Sequence, residues 1–346
     1  MKKRICGRWV GRGVLFCSLV IGLAVFGSEN TWAGRTPKIV GGEEVEPAGK
    51  YPWMAGLVYS DAPDYFSGQF CGGSLVDKNW VITAAHCVHD LYGQVEPPDE
   101  IDVILGVHDL QTDIGERVNV KRIVVHPQYD DRMFYNDIAL LELERSVTAL
   151  SPVPMSFDPD SLADAMGIVM GWGDTTGDDN YPDVLMEATL PIVSNDTCAA
   201  VYGSRDIIDT MLCAGYPEGG KDACSGDSGG PLVVADGTGG WFLAGIVSWG
   251  NECAMAGYYG VYTRLSMYRT FIGEYIPITY PLRGVFSPLR ICAGLPVEGD
   301  ELIPEVGGDQ RTGLEEVIFN LQIGTGVRNA SQHTDGYPPA SEPVLK

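Results

Sequence analysis

An all-β fold is predicted for the middle of this chain on three observations: short apolar runs, turn residues between them, and one helical pattern closing the region. The runs are rich in Val, Ile, Leu and Trp, and Gly, Asp and Pro punctuate them. In order they are Trp80–Ile82, Ile101–Leu105, Ile123–Val125, Ile138–Leu143, Ile168–Met170, Leu232–Val234 and Trp241–Trp249. Short strands at this spacing suit a sandwich or a barrel. The closing segment, Ser266–Ile276, sets Met267, Phe271, Ile272 and Tyr275 near one helical face. Pro277 stops it. Composition then shifts to Pro, Gly, Asp and Glu, so a domain boundary is expected there, with residues 277–346 as an irregular extension to which the sequence assigns no role.

The opening residues read as an export signal. Lys2, Lys3, Arg4, Arg8 and Arg12 precede an apolar run from Val14 to Phe26, and Thr31-Trp32-Ala33 supplies a small-residue cleavage site. Residues 1–33 are expected to be removed, giving a secreted protein, extracellular or, in a bacterium, periplasmic. The apolar run is too short to span a bilayer comfortably, and no later stretch does better, so no stable membrane span is expected in the mature protein. The formal net charge is −23, and residues 39–346 carry 16 basic against 45 acidic side chains. Such a surface repels nucleic acid and anionic membranes, so neither is an expected partner.

Of nine cysteines, Cys6 and Cys17 fall in the signal. Cys71, Cys87, Cys198, Cys213, Cys224, Cys253 and Cys292 remain, in a chain expected to meet oxidants. The odd count predicts one leftover thiol, no pair has the spacing of a zinc site, and spacing alone assigns no connectivity. Asn195-Asp196-Thr197 and Asn329-Ala330-Ser331 fit the N-glycosylation pattern.

Three segments carry chemistry: Thr83-Ala84-Ala85-His86-Cys87, Asn136-Asp137-Ile138-Ala139-Leu140, and Gly226-Asp227-Ser228-Gly229-Gly230-Pro231. Cutting a peptide bond needs a nucleophile, a base for its proton, and donors for the oxyanion. Serine is unreactive at neutral pH without a neighbouring base. Histidine provides one near working pH, and a buried carboxylate fixes its tautomer. Glycines beside the serine let backbone N–H groups approach a substrate. Each segment alone is weak; together, on an exported all-β chain, they leave chance little room.

With Ile39-Val40-Gly41-Gly42, Gly171-Trp172-Gly173, Ser248-Trp249-Gly250 and Gly260-Val261-Tyr262, these segments resemble the chymotrypsin-fold serine proteases, most nearly the trypsins. The resemblance covers 39–276 as one protease domain. It implies two six-stranded antiparallel β-barrels with the active site between them and a C-terminal helix. It assigns His86 as base and acid, Asp137 as its orienter and Ser228 as nucleophile, with the N–H groups of Gly226 and Ser228 as oxyanion hole. Asp222 would lie at the base of the specificity pocket, with Ala223, Ser248, Trp249, Gly250 and Gly260 around it. Hydrolysis after Arg in preference to Lys, through an acyl-enzyme, follows as the expected activity, on protein or peptide substrates and under control of protein inhibitors. No cofactor is implied.

The same resemblance pairs Cys71 with Cys87, Cys198 with Cys213, and Cys224 with Cys253. Two further bridges of vertebrate trypsins are missing in matched pairs, with Val45 and Glu187 at one and Gly167 and Val234 at the other. Residues 34–38 would be an activation propeptide, cut between Lys38 and Ile39 so that the new α-amino group pairs with Asp227. The calcium loop of vertebrate trypsins is not expected to survive: Gly106 to Arg117 is shorter, Val107 stands at a ligand position, and Asp109, Asp113 and Glu116 read as loop acids. No metal is expected. The alternative, a non-catalytic protease-fold binding or regulatory protein, usually lacks a triad residue or an oxyanion glycine, and this chain keeps them all.

Overall fold

Among the residues described by the computed structural model, 39–278 apart from 91, 158–161, 163, 164 and 178, twelve of thirteen strands form two antiparallel barrels. The expected signal peptide, the propeptide with Lys38, Cys292, the sequon at Asn329 and the extension from 279 onward lie outside the described residues. The first barrel uses β2 (Met54–Tyr59), β3 (Gln69–Asp77), β4 (Trp80–Thr83), β5 (Ile101–Leu105), β6 (Glu116–Val125) and β7 (Ala139–Leu143). It closes in the order β2-β3-β4-β7-β6-β5. The second uses β8 (Met166–Gly171), β9 (Met186–Val193), β10 (Met211–Ala214), β11 (Pro231–Ala235), β12 (Trp241–Trp249) and β13 (Gly260–Arg264). Its ring is β8-β9-β10-β13-β12-β11, shut by β11 on β8, and the two-residue β1 (Glu43–Glu44) lies along β9.

Closure removes the open strand edges that would otherwise invite pairing with other chains. Each barrel is filled by its own apolar side chains, such as Leu57, Val81, Ile104 and Leu141 in the first, and Val169, Leu190, Leu212 and Val247 in the second. Met170, Trp172, Leu243 and Ile246 reach from the second barrel into the core of the first and join the two. The buried charge on β5 is matched: Asp102 accepts from Arg117 Nε at 2.6 Å and from Asn119 Nδ2 at 2.8 Å.

The structure joins Cys71 to Cys87, Cys198 to Cys213, and Cys224 to Cys253. Where the two absent bridges would lie, other packing takes over. Gly167 stands directly across from Val234 on β8 and β11, and the Leu232 side chain occupies the space over it. Glu187 on β9 is held by the Tyr51 hydroxyl and by Lys50 Nζ at 2.7 Å.

The closing helix is shorter and differently phased than the sequence pattern predicts. Leu265–Tyr268 is a 3₁₀ turn that runs into α-helix Arg269–Gly273. Phe271, Ile272 and Ile276 are buried and Tyr275 packs against Trp80, but Met267 is 50% exposed. The tighter winding of the first turn rotates Met267 off the apolar face. Among the described residues no helix is long and apolar enough to cross a membrane.

Candidate active site

Three backbone segments meet where the barrels touch. His86 opens a 3₁₀ turn just after β4, and its neighbour Cys87 is bridged to β3. Asp137 lies two residues before β7, after Asn136 in a left-handed conformation at φ 55°. Ser228 sits in the turn before β11, and its carbonyl accepts the Gly72 N–H of β3 at 2.7 Å. Such an approach excludes side chains: a Cβ on Gly72 would come within 2.9 Å of Gly230 Cα.

His86 and Asp137 are tied twice. The His86 backbone N–H donates to Oδ1 at 2.9 Å, and ring Nδ1 lies 2.8 Å from Oδ2. Because a carboxylate accepts, the proton belongs on Nδ1, which leaves Nε2 as the ring's free base. Burial pushes the His86 pKa down, but the charge of Asp137 and its hydrogen bond outweigh this, and the net direction is upward. Asp137 is fully buried, and the Ser248 hydroxyl of β12 donates to its Oδ2 at 2.5 Å. The Thr263 hydroxyl holds the Asp137 carbonyl at 2.7 Å. Sequence reasoning placed Ser248 only on the pocket wall and missed this tie, which no local pattern signals. The same holds for Phe134, whose ring stands edge-on to His86 at 5.7 Å.

Asp222 is buried, its Oδ1 accepting the Ala223 N–H at 2.9 Å and its Oδ2 the Ala254 N–H at 3.2 Å. Gly260 adjoins it without a side chain, and Gly250 faces Gly260. A Cβ on Gly260 would press to 2.6 Å from Asp222 Oδ1, while one on Gly250 would meet nothing nearer than Gly260 Cα at 4.0 Å. Trp249 is half-buried against the Tyr202 ring at 5.0 Å. Burial raises the Asp222 pKa to about 7, even though two backbone N–H groups pull it down. Ile39 is fully buried, and Val40 pairs with Asp222, whose N–H donates to the Val40 carbonyl at 3.2 Å. Asp227 is also fully enclosed and accepts from Gly173 N at 2.8 Å and Cys224 N at 2.9 Å.

Asp109 and Asp113 serve the 106–117 loop itself, and Glu116 on β6 reaches outside it. Asp113 accepts from the N–H groups of His108 and Asp109, Asp109 from Gln111 and Thr112, and Glu116 pairs with Arg145 at 2.6 Å. At the first sequon the Asn195 amide donates to the carbonyls of Ile208 and Met211, so in the folded chain it is engaged.

Known proteins give this arrangement its context. The Trypsin family pattern matches residues 39–272. Trypsin-1 of Astacus astacus is 43% identical over 239 residues, covering 68% of this chain and 98% of that protein. Mannan-binding lectin serine protease 1 of Homo sapiens is 38% identical over 272 residues, covering 73% of this chain and 37% of its own length. Serine proteinase stubble of Drosophila melanogaster is 38% identical over 259 residues, covering 71% of this chain and 32% of its own length. The chain thus spans nearly all of the first relative and about a third of the other two. With two six-stranded barrels and a histidine–carboxylate pair where they meet, the chain belongs to the trypsin family and is a trypsin-like serine endopeptidase.

Proposed function

We propose that Ser228 is the nucleophile, His86 its base and then the acid for the leaving amine, and Asp137 the group that orients His86 and stabilises the imidazolium. The observation that carries this reading is the doubly held His86–Asp137 pair beside a Ser228 turn anchored to the other barrel. Ser228 attacks the scissile carbonyl, an acyl-enzyme forms as the amine leaves, and water releases the acid by the same steps. The N–H groups of Gly226 and Ser228 take the oxyanion. Ser248 is not a competing nucleophile in this account, because its hydroxyl proton is directed at the Asp137 carboxylate, a weaker base than the His86 imidazole. Asp222 selects Arg or Lys. Hydrolysis of a small arginyl amide, followed before and after limited trypsin treatment, tests the reading; absence of turnover in the cut protein would favour a non-catalytic binding role.

Activation follows from the seating of residues 39–42. Cleavage after Lys38 creates an ammonium on Ile39, and fully buried Asp227, with its pKa pushed up to about 7 chiefly by burial, is a carboxylate that such a partner would stabilise in its ionised form. Since Val40 is bonded to Asp222, seating this strand also sets the pocket. Lys38→Gln should leave a precursor that trypsin-like enzymes fail to start, with its extension retained and little activity. Full activity with the bond before Ile39 intact would refute the switch. We also assign residues 1–33 as a signal peptide and 39–276 as the protease domain of an exported protein, supported by the three disulfides.

The raised pKa of Asp222 gives a pH signature. An ionised Asp222 destabilises the empty folded chain increasingly as pH rises from 3.8 through about 7. A bound amidine requires the ionised form and relieves that penalty. Benzamidine affinity, measured by calorimetry, should therefore climb up to about tenfold per pH unit below 7 and level off above it. Asp222→Asn should abolish the slope. A flat wild-type profile would contradict the raised pKa of Asp222.

A further inference from the structure

The turn that carries the oxyanion glycine has two possible states. Asp227 N–H donates to the Cys224 carbonyl at 2.9 Å, which closes a four-residue β-turn, and Gly226 at its third position has φ 94°. Positive φ at that position marks a type II turn. Type I joins the same ends with negative φ there, and the two differ by a flip of the central peptide. Here the central peptide is Ser225–Gly226, whose N–H is the donor assigned to the oxyanion. In the flipped state the N–H turns away, and the Ser225 carbonyl replaces it. Glycine takes either sign of φ with similar ease, so Gly226 does not choose by itself.

Two contacts from outside the turn bear on that choice. The Ser225 carbonyl accepts the Asp174 N–H at 2.7 Å. A trans peptide is planar, so its N–H leaves on the opposite edge from that held carbonyl. Asp174 is buried, and its carboxylate binds its own loop, accepting from the N–H groups of Thr176 at 3.0 Å, Asp179 at 2.9 Å and Asn180 at 3.1 Å. Those bonds fix where its backbone N–H stands. From the first barrel, Gln69 Nε2 donates to the Gly226 carbonyl at 2.9 Å and to the Cys71 carbonyl at 3.1 Å. The carbonyls on both sides of Gly226 are therefore held, one from each barrel.

We infer that Gln69 and Asp174 are positioning residues that lock the Ser225–Gly226 peptide with its N–H toward the reacting carbonyl oxygen. This rests on the oxyanion reading proposed above. Neither side chain enters the chemistry; both act through the orientation of one peptide. Because the flip would alter stabilisation of the tetrahedral state and leave the Asp222 pocket as it is, transition-state and ground-state ligands should separate.

The test compares Gln69→Leu and Asp174→Ala with wild type after activation by trypsin. The ligands are an arginyl peptide aldehyde, which forms a tetrahedral adduct, and benzamidine, which fills only the pocket. Aldehyde affinity and kcat should each fall about tenfold, with KM and benzamidine affinity changed less than about twofold. Gln69→His, which keeps a ring N–H donor, should recover much of the loss. A parallel fall in aldehyde and benzamidine affinity would mean general loosening and overturn the inference, as would unchanged aldehyde affinity. Gly226→Ala separates this from the underlying reading, since a Cβ disfavours φ 94° and would meet Gly173 Cα at 3.0 Å. If Gly226→Ala leaves aldehyde affinity intact, the oxyanion assignment itself fails. If Gly226→Ala weakens it while Gln69→Leu and Asp174→Ala do not, only the positioning role fails.

Discussion

Ser228→Ala is expected to abolish covalent labelling by a phosphonylating reagent and to remove nearly all turnover of an arginyl amide, with the fold unchanged. The hydroxyl is the only group in this account that bonds covalently to the substrate carbonyl, and deleting it opens little space in a half-buried turn. Its backbone is held independently of the side chain, through the Ser228 carbonyl on Gly72 and the Gly229 N–H on Val247. Nucleophile and base act as a unit, so His86→Ala should cost about as much, and the double variant little more than either. The residual rate should remain above that of water because the oxyanion donors and the pocket survive. Labelling of Ser228→Ala at the wild-type rate would sink the assignment.

Asp222→Ser should cut turnover of arginyl substrates by orders of magnitude while an uncharged phosphonylating reagent still labels Ser228 normally. A carboxylate this enclosed is costly alone and strongly favoured by a guanidinium, so the two losses must separate if the pocket and the triad are distinct. Ala223 adds a finer expectation. Many trypsins have serine there, whose hydroxyl helps hold a lysine ammonium, whereas arginine reaches the carboxylate with two prongs. One hydrogen bond to a charged group is worth roughly 1.5–3 kcal/mol, so arginine should be preferred to lysine by about tenfold or more. Cleavage of phenylalanyl or alanyl peptides as readily as arginyl ones would contradict the pocket even if Ser228 is correctly placed.

The sequence made the barrels legible where strands are buried on both faces and mostly apolar, as in Ile101–Leu105 and Leu232–Val234. It hid strands that bend this rule. β3 contains Gly72-Gly73, which reads as a break, yet a Cβ on Gly73 would come within 2.8 Å of Val81 Cγ1. Those glycines permit close approach inside a continuous strand. β9 carries Glu187 and Pro191, and the former is accommodated by Lys50 and Tyr51, which no local pattern connects to it. Sequence singled out candidates where chemistry demands a residue type, as at His86, Asp137 and Ser228, and Asp222 came only from the family resemblance. Contacts through backbone atoms were not legible. Ser225 to Asp174 and Val40 to Asp222 are backbone–backbone bonds in which any residue type leaves the same trace, and the Gln69 side chain reaches the Gly226 carbonyl from a residue 157 positions away, which no local pattern connects to it.

The most direct test of the central claim is the site of covalent modification in the native, trypsin-activated protein. After reaction with a phosphonylating inhibitor, the labelled peptide would be isolated and fragmented by mass spectrometry. A single adduct on Ser228 is the predicted result, absent when the protein is first treated with a reagent that alkylates His86. An adduct on Ser248 instead, or labelling that persists at Ser228 after His86 is blocked, would contradict the assignment of Ser228 as the nucleophile activated by His86.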